Sequence, residues 1–187
     1  LEEASPDRSI LVQMCGYHMQ SGGKRLRALL PLLVAEALGA DPSTVVPFGA
    51  ACEMLHNATL VHDDLQDGDR LRRGVETVWR HFGTAQAINL GDAMFYYTLE
   101  LVHRLQAPLG RRHAVARRVL RETLRVIDGQ EREFSLRLAE RPTLAEYFAM
   151  VEGKTSGLFA LPMAGAAVLC GASGQVVQGL QEAARHM

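Results

Sequence analysis

The chain has 187 residues, 48% of them hydrophobic and 22% charged. That is long enough to bury one domain's core, and it excludes a disordered, collagen-like or multi-span membrane chain. Lys plus Arg (20) nearly cancels Asp plus Glu (21), for a formal net charge of -1, so no overall basic field points to nucleic acid and any charge-driven function rests on local clusters.

Glu2, Glu3, Asp7 and Arg8 crowd the first nine residues, which is not the pattern of a signal peptide. A start at Leu1 and an abrupt stop at Met187 lead us to expect a single domain over 1–187 that lacks part of its length. Helical periodicity dominates and long alternating β-branched runs are absent, so the expected fold is all-α. A first helix fits 8–20 and breaks at Ser21-Gly22-Gly23. A second fits 24–38, with Gly39 as its C-cap and Pro42 beyond it. A third follows Ser43-Thr44 and runs to about 66, and 68–74 reads as a charged loop. Further helices fit 84–105 and 112–139, the latter despite Asp128-Gly129. Others fit 143–153 and 156–170, and a last one starts after Ser173-Gly174.

Two segments raise other readings. Thr155–Gln181 contains no charged residue, but its strongly apolar part, 157–172, is short for a span of about 20 residues and holds Pro162, so a buried core helix is expected rather than a transmembrane segment. Arg111, Arg112, Arg117, Arg118, Arg121 and Arg125 cluster on one helix, interleaved with Glu122, Val115, Val119, Leu120 and Leu124. That pattern reads as a solvated outer face rather than a nucleic-acid surface. Cys15, Cys52 and Cys170 are odd in number and widely spaced, which fits buried free thiols in a reducing compartment.

The most informative stretch is His56-Asn57-Ala58-Thr59-Leu60-Val61-His62-Asp63-Asp64-Leu65-Gln66-Asp67. On a helix Asp63 and Asp67 share a face, His56 lies two turns below Asp63, and Asp64 sits about 100° round. Two carboxylates at roughly 6 Å repel by on the order of 3 kcal/mol at an effective dielectric of about 20. The helix C-terminus adds to that cost. Such a pair asks for a cation, and hard oxygen ligands without thiolates favour magnesium over zinc. Gly22-Gly23-Lys24-Arg25-Leu26-Arg27 places a glycine turn before a basic helix start, with Lys24 and Arg27 on one face, which suits an anion. Arg72-Arg73-Gly74 and Glu152-Gly153-Lys154-Thr155-Ser156-Gly157 supply two more phosphate-sized sites. Each basic group taken alone reads as solvated surface. Together with the carboxylates they read as diphosphate handling through magnesium.

GGKRLR at 22–27, HNATLVHDDLQDGDRLRRG at 56–74, FGTAQAINLGD at 82–92 and EGKTSGLF at 152–159 together resemble the trans-type isoprenyl diphosphate synthases, or polyprenyl synthetases, over essentially the whole chain. The resemblance implies a helical bundle around a deep central cavity, a cytoplasmic homodimer, and a magnesium-dependent prenyltransferase that joins isopentenyl diphosphate head to tail with an allylic diphosphate. It implies magnesium on Asp63 and Asp67, with Asp64 in support. It gives the allylic diphosphate Arg72, Lys154 and Thr155, and isopentenyl diphosphate Lys24, Arg27, His56 and Arg73.

In the resemblance, Ala58 and Thr59 belong to the wall that limits product length. Family members that stop early tend to carry aromatic rings there. Two small residues therefore imply a product of C20 or longer, with a lower floor from Met94, Phe95 or Tyr96. The sequence departs from the pattern at Ala28 and Val75-Glu76. A second aspartate-rich motif is missing, since Glu182 is the only acidic residue after Thr155. The alternative is a non-catalytic subunit of a heteromeric synthase. A terpene cyclase fits less well, having no isopentenyl diphosphate for the 22–27 segment to hold, and a plain helical scaffold leaves the charged clusters unexplained.

Overall fold

The structure is a computed structural model, described here for residues 9–185. The acidic start of the chain, Arg8 and the last two residues lie outside the described residues.

Helix α1 (Ile10–Gln20) begins at Ser9, whose side chain accepts the Leu11 N–H. Gly22 (φ 88°) and Gly23 (φ 128°) turn the chain, and Arg25 is left-handed (φ 50°), so α2 spans Leu26–Ala37. Lys24 therefore lies outside the helix. The expected pairing of Lys24 with Arg27 on one helical face gives way to a turn that presents Lys24 separately.

A 3₁₀ turn, Pro42–Val45, leads into α3 (Val46–Asp67), which ends on left-handed Gly68. The expected loop at 68–74 contains a small hairpin. β1 (Leu71–Arg72) pairs antiparallel with β2 (Val75–Glu76), joined by Arg73 (φ 52°) and Gly74 (φ 83°). Positive φ at both central residues suits a two-residue hairpin turn. The sequence pattern misses α4 (Val78–Phe82), a helix too short for a clear period. Then come α5 (Thr84–His103) and α6 (Leu109–Leu138).

A Thr143–Glu146 capping box starts α7 (Leu144–Val151). A π-helical turn, Glu152–Ser156, joins it directly to α8 (Gly157–Cys170), and α9 (Gly174–Arg185) follows. The two expected helices at 143–170 are thus one continuous 27-residue element, long and apolar enough by length and composition to cross a membrane. Its second half is a core helix here: Leu158, Ala160, Leu161, Ala164, Ala166 and Ala167 are buried.

α3 is the axis of the bundle. One side, through Phe48, Ala51, Cys52 and Leu55, joins Val34 of α2, Val115, Val119 and Val126 of α6, and Leu158 and Leu161 of α8. The other, through Met54, Ala58 and Val61, joins Met14, Val78, Leu90, Met94 and Tyr97. A helix apolar on nearly every side belongs at the centre, and its C-terminal turns carry the polar residues. Cys15, Cys52 and Cys170 are all free thiols, with Cys15 and Cys52 buried.

α6 meets the π turn at a glycine contact. A Cβ on Gly129 would lie 2.5 Å from the Lys154 backbone N. Glycine inside a helix costs roughly 1 kcal/mol relative to alanine, and at this point it lets α6 press against the segment carrying Lys154 and Thr155. On the outer side of α6, Val115 and Val119 are buried while Leu120 (49%), Leu124 (64%) and Ile127 (52%) are exposed beside Tyr96 (73%) of α5. The expected solvated face therefore carries an apolar stripe. Two of its arginines hold the bundle together: Arg111 donates to the Leu169 carbonyl and Arg118 to Gln181.

Candidate active site

The C-terminal turns of α3 and α6 and the π turn converge on one charged layer. Lys154 Nζ lies 2.6 Å from Glu133 Oε2 and 3.7 Å from Asp63 Oδ2. Arg137 bridges Glu133 and Asp67, at 2.5 and 2.9 Å. Asp63 and Asp67 share this layer as their spacing predicts, and the repulsion between them is met by the two cations. Burial pushes the Asp63 carboxyl up, opposed by Lys154 and aided by Asp67 and Glu133. Hydrogen bonds from Lys154 and Arg137 hold Glu133 below the usual range, against some desolvation.

Asp64 does not join this pair. Its side chain is 2% exposed and accepts the Arg72 fork, Nε at 2.8 Å and Nη2 at 2.6 Å from Oδ1. Burial pushes its carboxyl up while Arg72 pulls it down. Asp64 thus anchors Arg72 of the hairpin, a role set by its position 100° round the helix from Asp63.

The hairpin closes a second layer. Arg73 Nη1 donates to the Gly22 carbonyl. A Cβ on Gly23 would lie 2.6 Å from that same nitrogen, so the guanidinium comes close to the turn, and the positive φ is what favours glycine there. The basic segments at 22–27 and 72–74 therefore meet in space. Arg27 places its guanidinium 4.5 Å above the Phe159 ring, and its Nε is buried without a protein partner. His56 is pushed down to about 3 by burial and by Arg27, Arg72, Arg73 and His18, so it is neutral, and its Nδ1 is likewise unpartnered. Lys24 stands exposed on the turn, and Thr155 is exposed beside Lys154. Beneath, Arg25 bonds Glu53 at 3.2 Å, and Asn57 links Glu53 to His18. Sequence reasoning missed this buried network, whose signal was Glu53 inside an otherwise apolar stretch.

Next to the carboxylate layer opens a cavity of about 510 Å³, lined by Thr59, His62, Asp63, Gln66, Asp92, Phe95, Val126, Ile127, Gln130, Glu131 and Phe134. Thr59 lines it. Ala58 does not: it is fully buried in the cluster around Met14 and Leu90. Of the three candidates for a floor, Phe95 lines the cavity, Met94 is buried in that same cluster, and Tyr96 is 73% exposed. Glu133, Arg137 and Gln130 also escaped the sequence reading, although Gln130-Glu131-Arg132-Glu133 directly follows Asp128-Gly129.

The Polyprenyl synthetase family model matches residues 8–187. The chain belongs to that family. Among its relatives, a (2E,6E)-farnesyl diphosphate synthase of Mycobacterium bovis is 37% identical over 167 residues, 88% of this chain and 45% of that protein. The geranylgeranyl pyrophosphate synthetase structure from Geoglobus acetivorans superposes with a TM-score of 0.91 at 34% identity, covering 96% of this chain and 60% of that one. A polyprenyl synthase structure from Caulobacter crescentus, complexed with calcium and isoprenyl diphosphate, has a TM-score of 0.89 at 28% identity and covers 97% of this chain and 54% of its own. The chain spans about half the length of the curated relatives it matches.

Among the described residues, no three acidic, His or Cys side chains could hold a metal unaided. The donor set nonetheless fits magnesium. That ion is commonly held by one or two carboxylates completed by substrate phosphates, and Asp63 and Asp67 offer two, paired among the described residues with Lys154 and Arg137.

Proposed function

We propose that the protein is a trans-prenyltransferase that condenses isopentenyl diphosphate with an allylic diphosphate into a prenyl diphosphate of C20 or longer. The observation that carries this reading is a pair of cationic clusters at the two ends of one hairpin contact: Lys154 and Arg137 beside Asp63 and Asp67 at the mouth of an apolar-walled cavity, and Arg73 with the 22–27 turn, joined to the same end of α3 by the Arg72–Asp64 pair. Two diphosphates need two such clusters, and a growing hydrocarbon needs the cavity. Family members described as farnesyl and geranylgeranyl synthases support prenyl transfer, and they favour a catalytic chain over a non-catalytic subunit, while the product length rests on the small Thr59 at the cavity wall.

Asp63 and Asp67 would hold magnesium against the allylic diphosphate, with Arg72, Lys154 and Thr155 completing that end. The metal supplies Lewis-acid stabilisation of charge on the leaving group. Lys24, Arg27, Arg73 and neutral His56 take isopentenyl diphosphate.

The allylic carbon–oxygen bond breaks with its electron pair going to diphosphate oxygen. The isopentenyl double bond then supplies the pair for the new carbon–carbon bond. The cation left on the isopentenyl unit loses a proton, and the released diphosphate is the base at hand. Apolar walls at Phe95 and Val126 would limit the access of water to the cation. We place the enzyme in the cytoplasm as a homodimer, and the exposed stripe of Tyr96, Leu120, Leu124 and Ile127 is the face that suits a second copy.

Diphosphate release tests the reaction. It should require both substrates and magnesium and stop on addition of EDTA. Release from the allylic substrate alone at the same rate would point to a hydrolase or cyclase instead.

A further inference from the structure

Glu53 is 8% exposed and lies on α3 one turn before His56 and Asn57. A carboxylate is rarely buried this far unless it is paired. Its Oε1 accepts from two directions, from Arg25 Nη1 at 3.2 Å and from Asn57 Nδ2 at 3.2 Å. Asn57 also donates to the Glu53 carbonyl at 2.8 Å, and its Oδ1 lies 3.1 Å from His18 Nε2 on α1. Arg25 reaches α1 as well, because its Nη2 donates to the Met19 carbonyl. The reaction described above uses neither Glu53 nor Arg25.

Arg25 is where this network bears on the chemistry. Its φ is 50°, and a non-glycine residue in the left-handed region is uncommon and persists only where its surroundings hold it. The conformation has a consequence for its neighbours. α2 starts at Leu26 because Arg25 leaves helical geometry, whereas a right-handed Arg25 would let the helix run back to Lys24 and swing that side chain onto the α2 face. On one side of Arg25, the Gly22 carbonyl accepts from Arg73. On the other, Arg27 lies over the Phe159 ring. Burial pushes the Arg27 guanidinium down and Glu53 opposes that shift, so the one carboxylate acts on both arginines of the turn.

We propose that Glu53 is a positioning residue: by holding Arg25 in its left-handed conformation it sets the 22–27 turn, so that Lys24 and Arg27 meet isopentenyl diphosphate together with Arg73 and His56. The inference rests on the prenyltransfer reading above. As an anion Glu53 would repel a diphosphate, so its contribution passes through Arg25 and not through contact with substrate. Arg25 in turn spends its guanidinium on Glu53 and the Met19 carbonyl. A binding turn fixed before substrate arrives loses less conformational freedom on binding, which favours affinity. The allylic end is built on the last turns of α3 and α6 and on the π turn, outside this network, so the effect belongs to isopentenyl diphosphate.

The test is steady-state kinetics of the full-length enzyme with magnesium, varying each diphosphate in turn, for wild type, Glu53→Gln, Glu53→Leu, Arg25→Met and the Arg25→Met/Glu53→Leu double variant. Glu53→Leu should raise KM for isopentenyl diphosphate about 10- to 100-fold, the worth of one charge-assisted hydrogen bond. KM for the allylic diphosphate and kcat should stay within about twofold. Glu53→Gln should recover part of the affinity, because its side-chain carbonyl still accepts from Arg25. Arg25→Met should match Glu53→Leu, and the double variant should be no worse than either single one. The Arg25 side chain is 31% exposed, so Arg25→Met keeps the test decisive if Glu53→Leu does not fold. An unchanged KM for isopentenyl diphosphate in Arg25→Met, an equal rise in both KM values, a loss confined to kcat, or a double variant that multiplies the two single effects would overturn the proposal while leaving prenyltransfer standing. A folded wild type without turnover would take down the prenyltransfer reading, and this one with it.

Discussion

Gly129 of α6 and Lys154 of the π turn touch through their backbones: a methyl group on Gly129 would lie 2.5 Å from the Lys154 nitrogen and 2.8 Å from the Gly153 carbonyl carbon. This contact sets how far Lys154 reaches across Glu133 toward Asp63. Gly129→Ala should therefore act on both stability and chemistry. Overpacking costs about 1–3 kcal/mol, more than offsetting alanine's better helix propensity, and displacement of Lys154 should lower kcat at least about tenfold. Denaturant unfolding and initial rates check the two effects. A variant that is more stable and fully active would show that the π turn yields freely.

Product length should follow the cavity wall. Thr59→Phe puts a ring one turn below Asp63 and should shorten the product by at least one isoprene unit. Phe95 also lines a second groove of about 470 Å³ shared with Tyr96, Leu99 and Leu120 on the outer side, so Phe95→Ala should open the floor and lengthen the product. Mass spectrometry of the products reads both. Unchanged chain length in both variants would move the hydrocarbon elsewhere.

Much of this arrangement is legible in the sequence, and the reasons for the remainder are specific. Asp63 and Asp67 follow from helical spacing alone, because both lie on one rigid element. Asp64 and Arg72 do not, since their pairing needs a hairpin whose two-residue strands are too short to announce themselves. Lys24 was expected in the first turn of α2 because a left-handed arginine at position 25 is not written in composition. Ala58 and Thr59 are neighbours, yet Ala58 is buried against Met14 and Leu90 while Thr59 lines the cavity, and only the packing around α3 decides which one meets it. Glu133 and Gln130 belong to an exposed-looking polar run that becomes a site only once Gly129 meets Lys154.

Stability should fall on acidification through the buried histidines. His56 sits at about 3 and His18 at about 4, both below the ordinary 6.5, chiefly through burial. Between those values the unfolded chain binds protons that the native state excludes, so stability drops as pH falls below about 6.5, at about 1.4 kcal/mol per pH unit for each histidine. His56→Gln removes one such proton. Its stability should decline less steeply than wild type between pH 6 and about 4, by roughly that slope. Asp63, raised by burial, works in the opposite direction in both proteins and cancels in the comparison. Equal slopes would mean that His56 titrates normally.

The apolar stripe on α5 and α6 should join two copies. Leu124 is 64% exposed, with Leu120 and Ile127 beside it. Leu124→Glu would place a charge in the middle of that face and should convert a dimer to monomers in sedimentation velocity. A wild type that is already monomeric, or a variant that stays dimeric, would assign the stripe to another contact.

The most direct test incubates the full-length protein with magnesium, isopentenyl diphosphate and farnesyl diphosphate, with EDTA as the control, and identifies the products by mass spectrometry. A magnesium-dependent prenyl diphosphate of C20 or longer is the predicted result. Farnesyl diphosphate recovered unextended from a folded protein would contradict the account.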